Sequence, residues 1–358
     1  MLDGLCDKVD RGPRLNRLSR SHAAHAFNWA SWMLARGFND SEVLILRFDW
    51  WRDALRALSP DLVVADFAPT ALMAARALGI RAVATGTAFG VFPSSLLRFP
   101  DFLTPQEAAR HRPALGDAPP PDEAAMCDTI NRTLGARGLP PLARLPEVYA
   151  ADLSLPRGVT LWDPYAEWRE RPLLLPIERL PPLSEGQGSE VFIYFSTGEL
   201  NEPAIREALL RLPFAARLVA PGLAPGLARG LAANPRLRIE PAPLPPSEIV
   251  ARSRVIMCAG QAGTLSLAVL AGVPVLALPV QLEQLSNALR ASGHLSACRV
   301  VPRIERSAQA ILDALADLWF RPGLAQAARD EAVRLRAQYD ESALDSYRRL
   351  LPPLLDGA

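Results

Sequence analysis

Residues 257–293 read MCAGQAGTLSLAVLAGVPVLALPVQLEQLSNALRASG, and this order predicts a strand, a glycine turn, a helix and a second strand. The apolar run at its start is typical of a buried parallel strand. Gly260 and Gly263 follow this run, and we expect a helix to begin near Thr264. Gly272 ends that helix, and another short apolar run comes after it. A strand–helix–strand unit of this kind is typical of a parallel α/β sheet.

The same alternation of strands and helices extends over much of the chain. The segments DLVVAD (61–66) and IRAVATG (80–86) predict two strands with one helix between them. The C-terminal half alternates from VFIYFSTG (191–198) to CRVVP (298–302) and ends in predicted helices, the last of them over 323–351. This regular alternation predicts an α/β protein with two Rossmann-like, doubly wound parallel sheets.

The two alternating regions also predict how the chain divides into domains. We expect an N-terminal Rossmann-like domain over 1–170, a linker rich in proline and glycine over 171–190, and a second domain over 191–340. A C-terminal helix over 341–358 is expected to pack back on the first domain. Two such domains leave a cleft between them, and ligands bind at the carboxyl ends of the strands that face it.

Composition argues against several classes of protein. The 358 residues carry a formal net charge of +1, so no global field favours nucleic acid or an anionic membrane surface as a partner. The longest apolar stretch is too short, and too often broken by proline, to span a bilayer. The four cysteines lack the paired spacing of a metal or redox site, so a cytoplasmic location is the simplest expectation.

The glycine turn at 260–263 has the features of a site that binds an anion. A helix N-terminus offers free amide N–H groups and the positive end of the helix dipole, and glycines let a ligand approach the backbone closely. Together these features suit a diphosphate. The residues of the turn alone leave a second interpretation equally open, in which the turn only packs a helix against its sheet.

Several short motifs follow the glycine turn in a fixed order. They are Ala259-Gly260-Gln261-Ala262-Gly263-Thr264, Gly272-Val273-Pro274, Pro279, Glu283-Gln284 and Asn287-Ala288. This order resembles the donor-binding signature of GT-B glycosyltransferases related to the UDP-glycosyltransferases, which runs close to His-Gly-Gly-x-Gly-Thr, Gly-Val-Pro, a strand ending in Pro, Asp/Glu-Gln and Asn-Ala. The resemblance extends to 192–198 in the donor domain and to 61–93 in the acceptor domain.

The resemblance implies a glycosyltransferase that moves a hexosyl group from a UDP- or dTDP-sugar to a hydroxylated small-molecule or lipid acceptor. It implies an inverting reaction without a metal, and no cofactor besides the nucleotide sugar. The implied donor-binding residues are Ser196, Thr197, Gly198, Gly260, Gln261, Ala262, Gly263, Thr264, Glu283 and Gln284. The loop after the strand at 80–86 is expected to face the cleft, which makes its residues acceptor-pocket candidates: Thr85, Thr87, Phe89 and Phe92.

The sequence departs from the family's pattern at two places. The family's phosphate-contacting histidine is Ala259 here, and its second glycine is Gln261, whose amide can supply a donor. The family's first strand and catalytic-base histidine have no counterpart, so the N-terminal domain is expected to be incomplete. The aspartate that orients that histidine matches Asp66, which is the expected catalytic residue. Capping of the helix that follows is the alternative role for Asp66.

Other interpretations of the whole chain stay open on the sequence. One is a catalytically inactive GT-B homologue that binds a nucleotide sugar or a partner protein, and the missing histidines favour it. A nucleotide-sugar epimerase is a lower-ranked alternative, because the expected set of histidine and acid is not recognisable. A start codon placed downstream of the true one would explain the missing first strand without loss of activity.

Overall fold

The computed structural model describes Gly12 and residues 27–115, 120–196 and 198–355, without the side chains of 112–115. The start of the predicted N-terminal domain, before residue 27, therefore lies outside the described residues except for Gly12. The described chain folds into two parallel sheets with helices packed around them, which confirms the predicted α/β class. Within these residues, no helix combines the length and the apolar character needed to cross a membrane.

The N-terminal sheet has three parallel strands in the order β1-β2-β3. Its elements are α1 (Trp29–Ala35), α2 (Ser41–Leu58), β1 (Val63–Asp66), α3 (Pro69–Leu78), β2 (Ala82–Thr87), α4 (Pro105–Leu115), α5 (Glu123–Gly135) and β3 (Leu153–Arg157). The strand–helix–strand unit from β1 to β2 forms where the sequence predicts it. Because β1 and β2 are parallel, with Asp66 opposite Thr85, their carboxyl ends meet at one edge of the sheet.

The C-terminal sheet has six parallel strands in the order β6-β5-β4-β7-β8-β9. Its elements are β4 (Glu190–Tyr194), α6 (Pro203–Arg211), β5 (Ala216–Val219), α7 (Pro225–Leu231), β6 (Leu237–Ile239), α8 (Pro246–Arg252), β7 (Ser253–Cys258), α9 (Ala262–Ala271), β8 (Val275–Ala277), α10 (Leu282–His294), β9 (Cys298–Val300) and α11 (Ala308–Phe320). This strand order reverses between β4 and β7, which is the topological switch point of a doubly wound sheet.

The last part of the chain passes from the second sheet to the first. It forms α12 (Leu324–Arg336), α13 (Ala343–Leu350) and α14 (Pro352–Leu355), so the single helix predicted over 323–351 is interrupted. Helix α12 packs on α9, whereas Tyr347 of α13 shares a hydrogen bond with the hydroxyl of Thr85 in β2. A straight helix could not contact both sheets, and the break lets the chain turn between them.

Helix α10 also joins the two sheets. Its first residue, Leu282, packs against the core of the N-terminal sheet, although the helix itself follows β8 of the other sheet. The hydroxyl of Ser286 donates a buried hydrogen bond of 3.0 Å to the carbonyl oxygen of Phe102. The N-terminus of α10 therefore lies where the two parts of the molecule meet.

Candidate functional site

The carboxyl ends of β4 and β7 lie side by side at the switch point of the six-stranded sheet. The two strands pair in parallel, with Tyr194 opposite Cys258. The chain that follows each strand therefore leaves the sheet at the same edge. In sheets of this topology, ligands bind in the crevice that these two connections form.

Helix α9 begins in this crevice, at Ala262, two residues before the predicted start. No side chain of the described residues caps its first turn, so the amides of Ala262, Gly263 and Thr264 have no intrahelical or side-chain acceptor. A Cβ built on Gly263 would meet no atom within 4 Å, so the space before this turn is open. Free amides and the dipole of a ten-residue helix make this turn a suitable anion site.

Gly260 fixes the turn before α9 against α10. Its φ is +92°, a conformation that side chains rarely adopt, and a Cβ there would lie 2.7 Å from the carbonyl oxygen of Gln284. The side-chain amide of Asn287 donates to the carbonyl oxygen of Gly260 at 3.4 Å. The glycine and the asparagine of the signature therefore hold the turn in place from two sides.

Gln261 braces the same turn from within. Its Oε1 accepts a hydrogen bond of 2.9 Å from the amide of Ala259, and its Nε2 lies 3.5 Å from the carbonyl oxygen of Tyr194. The side chain thus ties the turn to the end of β4. Where the family's pattern has a glycine, this chain has a residue with a structural contact of its own.

The first turn of α9 faces a cleft whose other wall is the linker. The residues that line it are Ile177, Glu178, Arg179, Leu180, Pro181, Pro182, Tyr194, Ser196, Pro246, Gln261, Gly263, Thr264 and Leu267. Its volume is about 1230 Å³, part of which is open to solvent. The structure therefore brings four predicted donor-binding residues into one cleft: Ser196, Gln261, Gly263 and Thr264.

Gly198 and Ala262, two further predicted donor-binding residues, are not among the residues that line this cleft. Ser196 is exposed two residues after β4, Thr197 lies outside the described residues, and Gly198 is exposed with a φ of +99°. Ala262, half-buried, opens α9. None of these placements by itself assigns a ligand.

Glu283 and Gln284 lie in the first turn of α10 and do not line the cleft at the linker. Gln284 is buried, and its Oε1 accepts hydrogen bonds from the amides of Val280 and Gln281, at 2.9 and 3.1 Å. The side-chain oxygen of Gln284 therefore caps the N-terminus of α10. Glu283 is half-buried and makes no hydrogen bond or ion pair with a described residue, and burial raises the pKa of its carboxyl.

Asp66 is exposed at the carboxyl end of β1, on the other sheet. A Cβ built on Gly86 would lie 2.6 Å from its Oδ1, so the carboxylate sits directly over the end of β2. Helix α3 has Ala68 as its N-cap and no side-chain cap, so the alternative role of Asp66 as a helix cap is wrong. The carboxylate is left available to a ligand.

The turn after Asp66 is strained and tightly packed. Phe67 has a φ of +56°, which is uncommon for a residue other than glycine. Its ring centroid lies 4.7 Å from that of Trp29, and a Cβ on Gly90 would come within 2.4 Å of the Phe67 ring. Packing therefore holds a backbone conformation that the residue itself disfavours, as is common near functional sites.

The four acceptor-pocket candidates differ in their surroundings. Thr85 is buried, and its hydroxyl is engaged with Tyr347 and with the carbonyl oxygen of Leu155 at 3.2 Å. Phe89 and Phe92 are buried in an aromatic cluster around Trp29. Only Thr87 of the four is partly exposed.

The loop after β2 is held by hydrogen bonds from residues that lie far away in the sequence. Arg169 forms a buried ion pair with Asp163 at 2.8 Å and donates a hydrogen bond of 2.7 Å to the carbonyl oxygen of Ala88. The indole of Trp29 donates to the carbonyl oxygen of Phe89 at 2.9 Å. The hydrogen bonds to Phe89 and Ala88 join residues 60 and 81 positions apart, so no local pattern indicates them.

The sequence matches no protein-family model and no curated protein, but the structure resembles solved glycosyltransferases. Similarity to glycosyltransferase VinC has a TM-score of 0.65, with 17% identity over 98% of this chain and 88% of that chain. For the calicheamicin glycosyltransferase CalG4, the TM-score is 0.63 and the identity is 18%, over 89% of this chain and 80% of that chain. For the spinosyn rhamnosyltransferase SpnG, the TM-score is 0.62 and the identity is 17%, over 92% of this chain and 82% of that chain. The chain therefore has the GT-B fold of glycosyltransferases like these.

Proposed function

We propose that the protein transfers a hexosyl group from a UDP- or dTDP-sugar to a hydroxylated small molecule or lipid. The observation that carries the proposal is the uncapped first turn of α9, which opens into a cleft at the switch point of the donor sheet. Backbone amides and a helix dipole in such a position suit a diphosphate.

The related structures support this choice of ligands. VinC was solved in complex with DTDP, and the glycosyltransferase SsfS6 of Streptomyces sp. SF2575 in complex with thymidine diphosphate. SpnG was solved with the spinosyn aglycone. We propose a nucleotide of the same class in the cleft at α9 and an acceptor on the side of the first sheet.

In the proposed reaction, the acceptor oxygen attacks the anomeric carbon of the sugar from the face opposite the diphosphate. The new carbon–oxygen bond forms as the bond from that carbon to the diphosphate oxygen breaks. The amides of Gly263 and Thr264 stabilise the charge that develops on the departing diphosphate. Because these amides and the helix dipole supply that stabilisation, we propose that transfer needs no metal, and activity in the presence of EDTA tests this point.

Two carboxylates have separate roles in this proposal. Asp66 accepts the proton of the acceptor hydroxyl, since its carboxylate is exposed and caps no helix. Glu283 accepts hydrogen bonds from the sugar hydroxyls, because it has no partner among the described residues. Gln284 contributes by capping α10 and so fixing the turn that carries Glu283.

Calorimetric titration with UDP and with dTDP tests the nucleotide site, and a mass-spectrometric screen of nucleotide sugars against hydroxylated acceptors tests transfer. We expect one of the two nucleotides to bind and its sugar to be consumed. Absence of both heat and a thermal shift with either nucleotide would contradict the proposal. Uridine and thymidine serve as controls for binding that does not involve the phosphates.

A catalytically inactive homologue that binds a nucleotide sugar is the second candidate. It is favoured by Ala259, whose methyl group cannot contact a phosphate as the family's histidine does. The two candidates differ in one result. An inactive homologue binds the nucleotide, but it neither transfers nor hydrolyses any sugar in the screen.

A further inference from the structure

A cation faces the donor cleft from a segment that the family signature does not include. Arg179 belongs to the linker, and it lines the same cleft as Gly263 and Thr264. Its side chain is exposed and makes no hydrogen bond or ion pair with a described residue. The hydrogen bond from Ser342 is the main cause of the lowered pKa of the Asp345 carboxyl, and the charge of Arg179 makes a smaller contribution. No hydrogen bond or ion pair with a described residue therefore competes with a ligand for the guanidinium.

We infer that Arg179 binds the diphosphate of the nucleotide and supplies the cationic contact that is missing at Ala259. The inference rests on the proposed function, because it takes the cleft at α9 as the nucleotide site. A guanidinium suits this role, since its planar fork can donate two parallel hydrogen bonds to phosphate oxygens.

The charge of the ligand explains why the amide turn needs such a partner. A helix N-terminus is equivalent to about half a positive charge, whereas a nucleoside diphosphate carries several negative charges. Gln261 already accepts from the amide of Ala259, so that amide adds nothing for the ligand. Among the described residues that line the cleft, Arg179 is the only cation.

Glu178 is the other charged residue of the cleft lining, and it provides a matched control. It stands next to Arg179, is also exposed, and carries the opposite charge. If the cleft holds an anion, removal of the two charges must have opposite effects on affinity. If the residues only form the wall of the cleft, the two substitutions must have similar effects.

The test is calorimetric titration of wild type, Arg179→Gln, Arg179→Lys and Glu178→Gln with dTDP, UDP and the two nucleosides. For whichever of the two diphosphates binds wild type, we expect Arg179→Gln to lower the affinity by about tenfold at low salt. The loss should be smaller at high salt, because salt screens exposed charges. Arg179→Lys should retain part of the affinity, and Glu178→Gln should bind the diphosphate more tightly than wild type. The affinity for the nucleoside should not change.

Two results would overturn the inference alone: diphosphate affinity of Arg179→Gln equal to that of wild type, or an equal loss for diphosphate and nucleoside. Failure of wild type to bind either nucleotide would overturn the proposed function as well. Thermal unfolding of each variant confirms that it is folded, and we expect no change because both side chains are exposed.

Discussion

The Oδ1 atom of Asp66 lies so close to Gly86 that a Cβ added to the glycine would come within 2.6 Å of it. Gly86 is the next-to-last residue of β2 and has a φ of +129°, and Asp66 is the last residue of β1. The carboxylate therefore occupies space that every other residue at position 86 would fill. This contact fixes Asp66 at the carboxyl edge of the sheet, where the acceptor is proposed to bind.

Gly86→Ala should displace the Asp66 carboxylate and lower the rate of transfer by about tenfold or more, because small misplacements of a catalytic group are costly. Affinity for the nucleotide should stay unchanged, since the donor cleft is formed elsewhere. Gly135→Ala is the control, because a Cβ there would meet nothing within 4 Å. Equal rates for Gly86→Ala and Gly135→Ala would show that the contact has no role in transfer.

Asp66→Asn keeps the size of the side chain but removes its basicity. We expect kcat to fall by roughly 10²- to 10⁴-fold, the range typical of a lost general base. The dissociation constant of the nucleotide should not change. A variant that transfers sugar at the wild-type rate would exclude Asp66 as the base.

Gly260→Ala and Gly263→Ala separate the packing of the turn from its contact with the ligand. At position 260 the new Cβ would be 2.7 Å from a backbone oxygen and the φ is positive, so we expect a loss of about 1–3 kcal/mol in the free energy of unfolding. At position 263 the methyl group enters open space in a helix, so stability should be kept or raised by up to about 1 kcal/mol.

Nucleotide binding should nevertheless weaken in Gly263→Ala, because its methyl group occupies the space before the free amides. Calorimetry and thermal unfolding on the same samples give both quantities. Unchanged affinity in Gly263→Ala would place the nucleotide away from this turn.

Glu283→Gln should raise the melting temperature at pH 7. Burial raises the pKa of the folded-state carboxyl, so the folded protein binds its proton more tightly than the unfolded chain does. The resulting stabilisation is complete below the unfolded pKa of about 4.3 and disappears as the pH rises through the raised folded pKa. We therefore expect a gain of roughly one to a few degrees at pH 7 that shrinks toward pH 4. A melting temperature for Glu283→Gln below that of wild type at pH 7 would contradict this account.

Local sequence patterns were sufficient to predict the helix and strands that surround the donor turn. The glycines at 260 and 272 both adopt positive φ, and the helix between them forms as expected. Strand β3 was not predicted, because Leu153–Arg157 has only five residues, including a proline, and no sustained apolar run. It becomes a strand only because β2 supplies a parallel partner for it.

Most of the features that the sequence did not predict depend on contacts between residues far apart in the chain. The hydrogen bond of Thr85, a predicted acceptor-pocket residue, to Tyr347 joins residues 262 positions apart, so no local pattern could indicate it. The capping role of Gln284 was readable in principle. Gln281 and Gln284 form a capping box, a pattern of two polar side chains three positions apart at the start of a helix.

Hydrogen–deuterium exchange with and without dTDP or UDP tests the central claim most directly. The amides of Ala262, Gly263 and Thr264 have no intrahelical or side-chain acceptor among the described residues, so they should exchange rapidly in the free protein. If the diphosphate binds at the first turn of α9, a peptide covering 259–267 must become protected at saturating nucleotide. Binding without protection of that peptide would contradict the account.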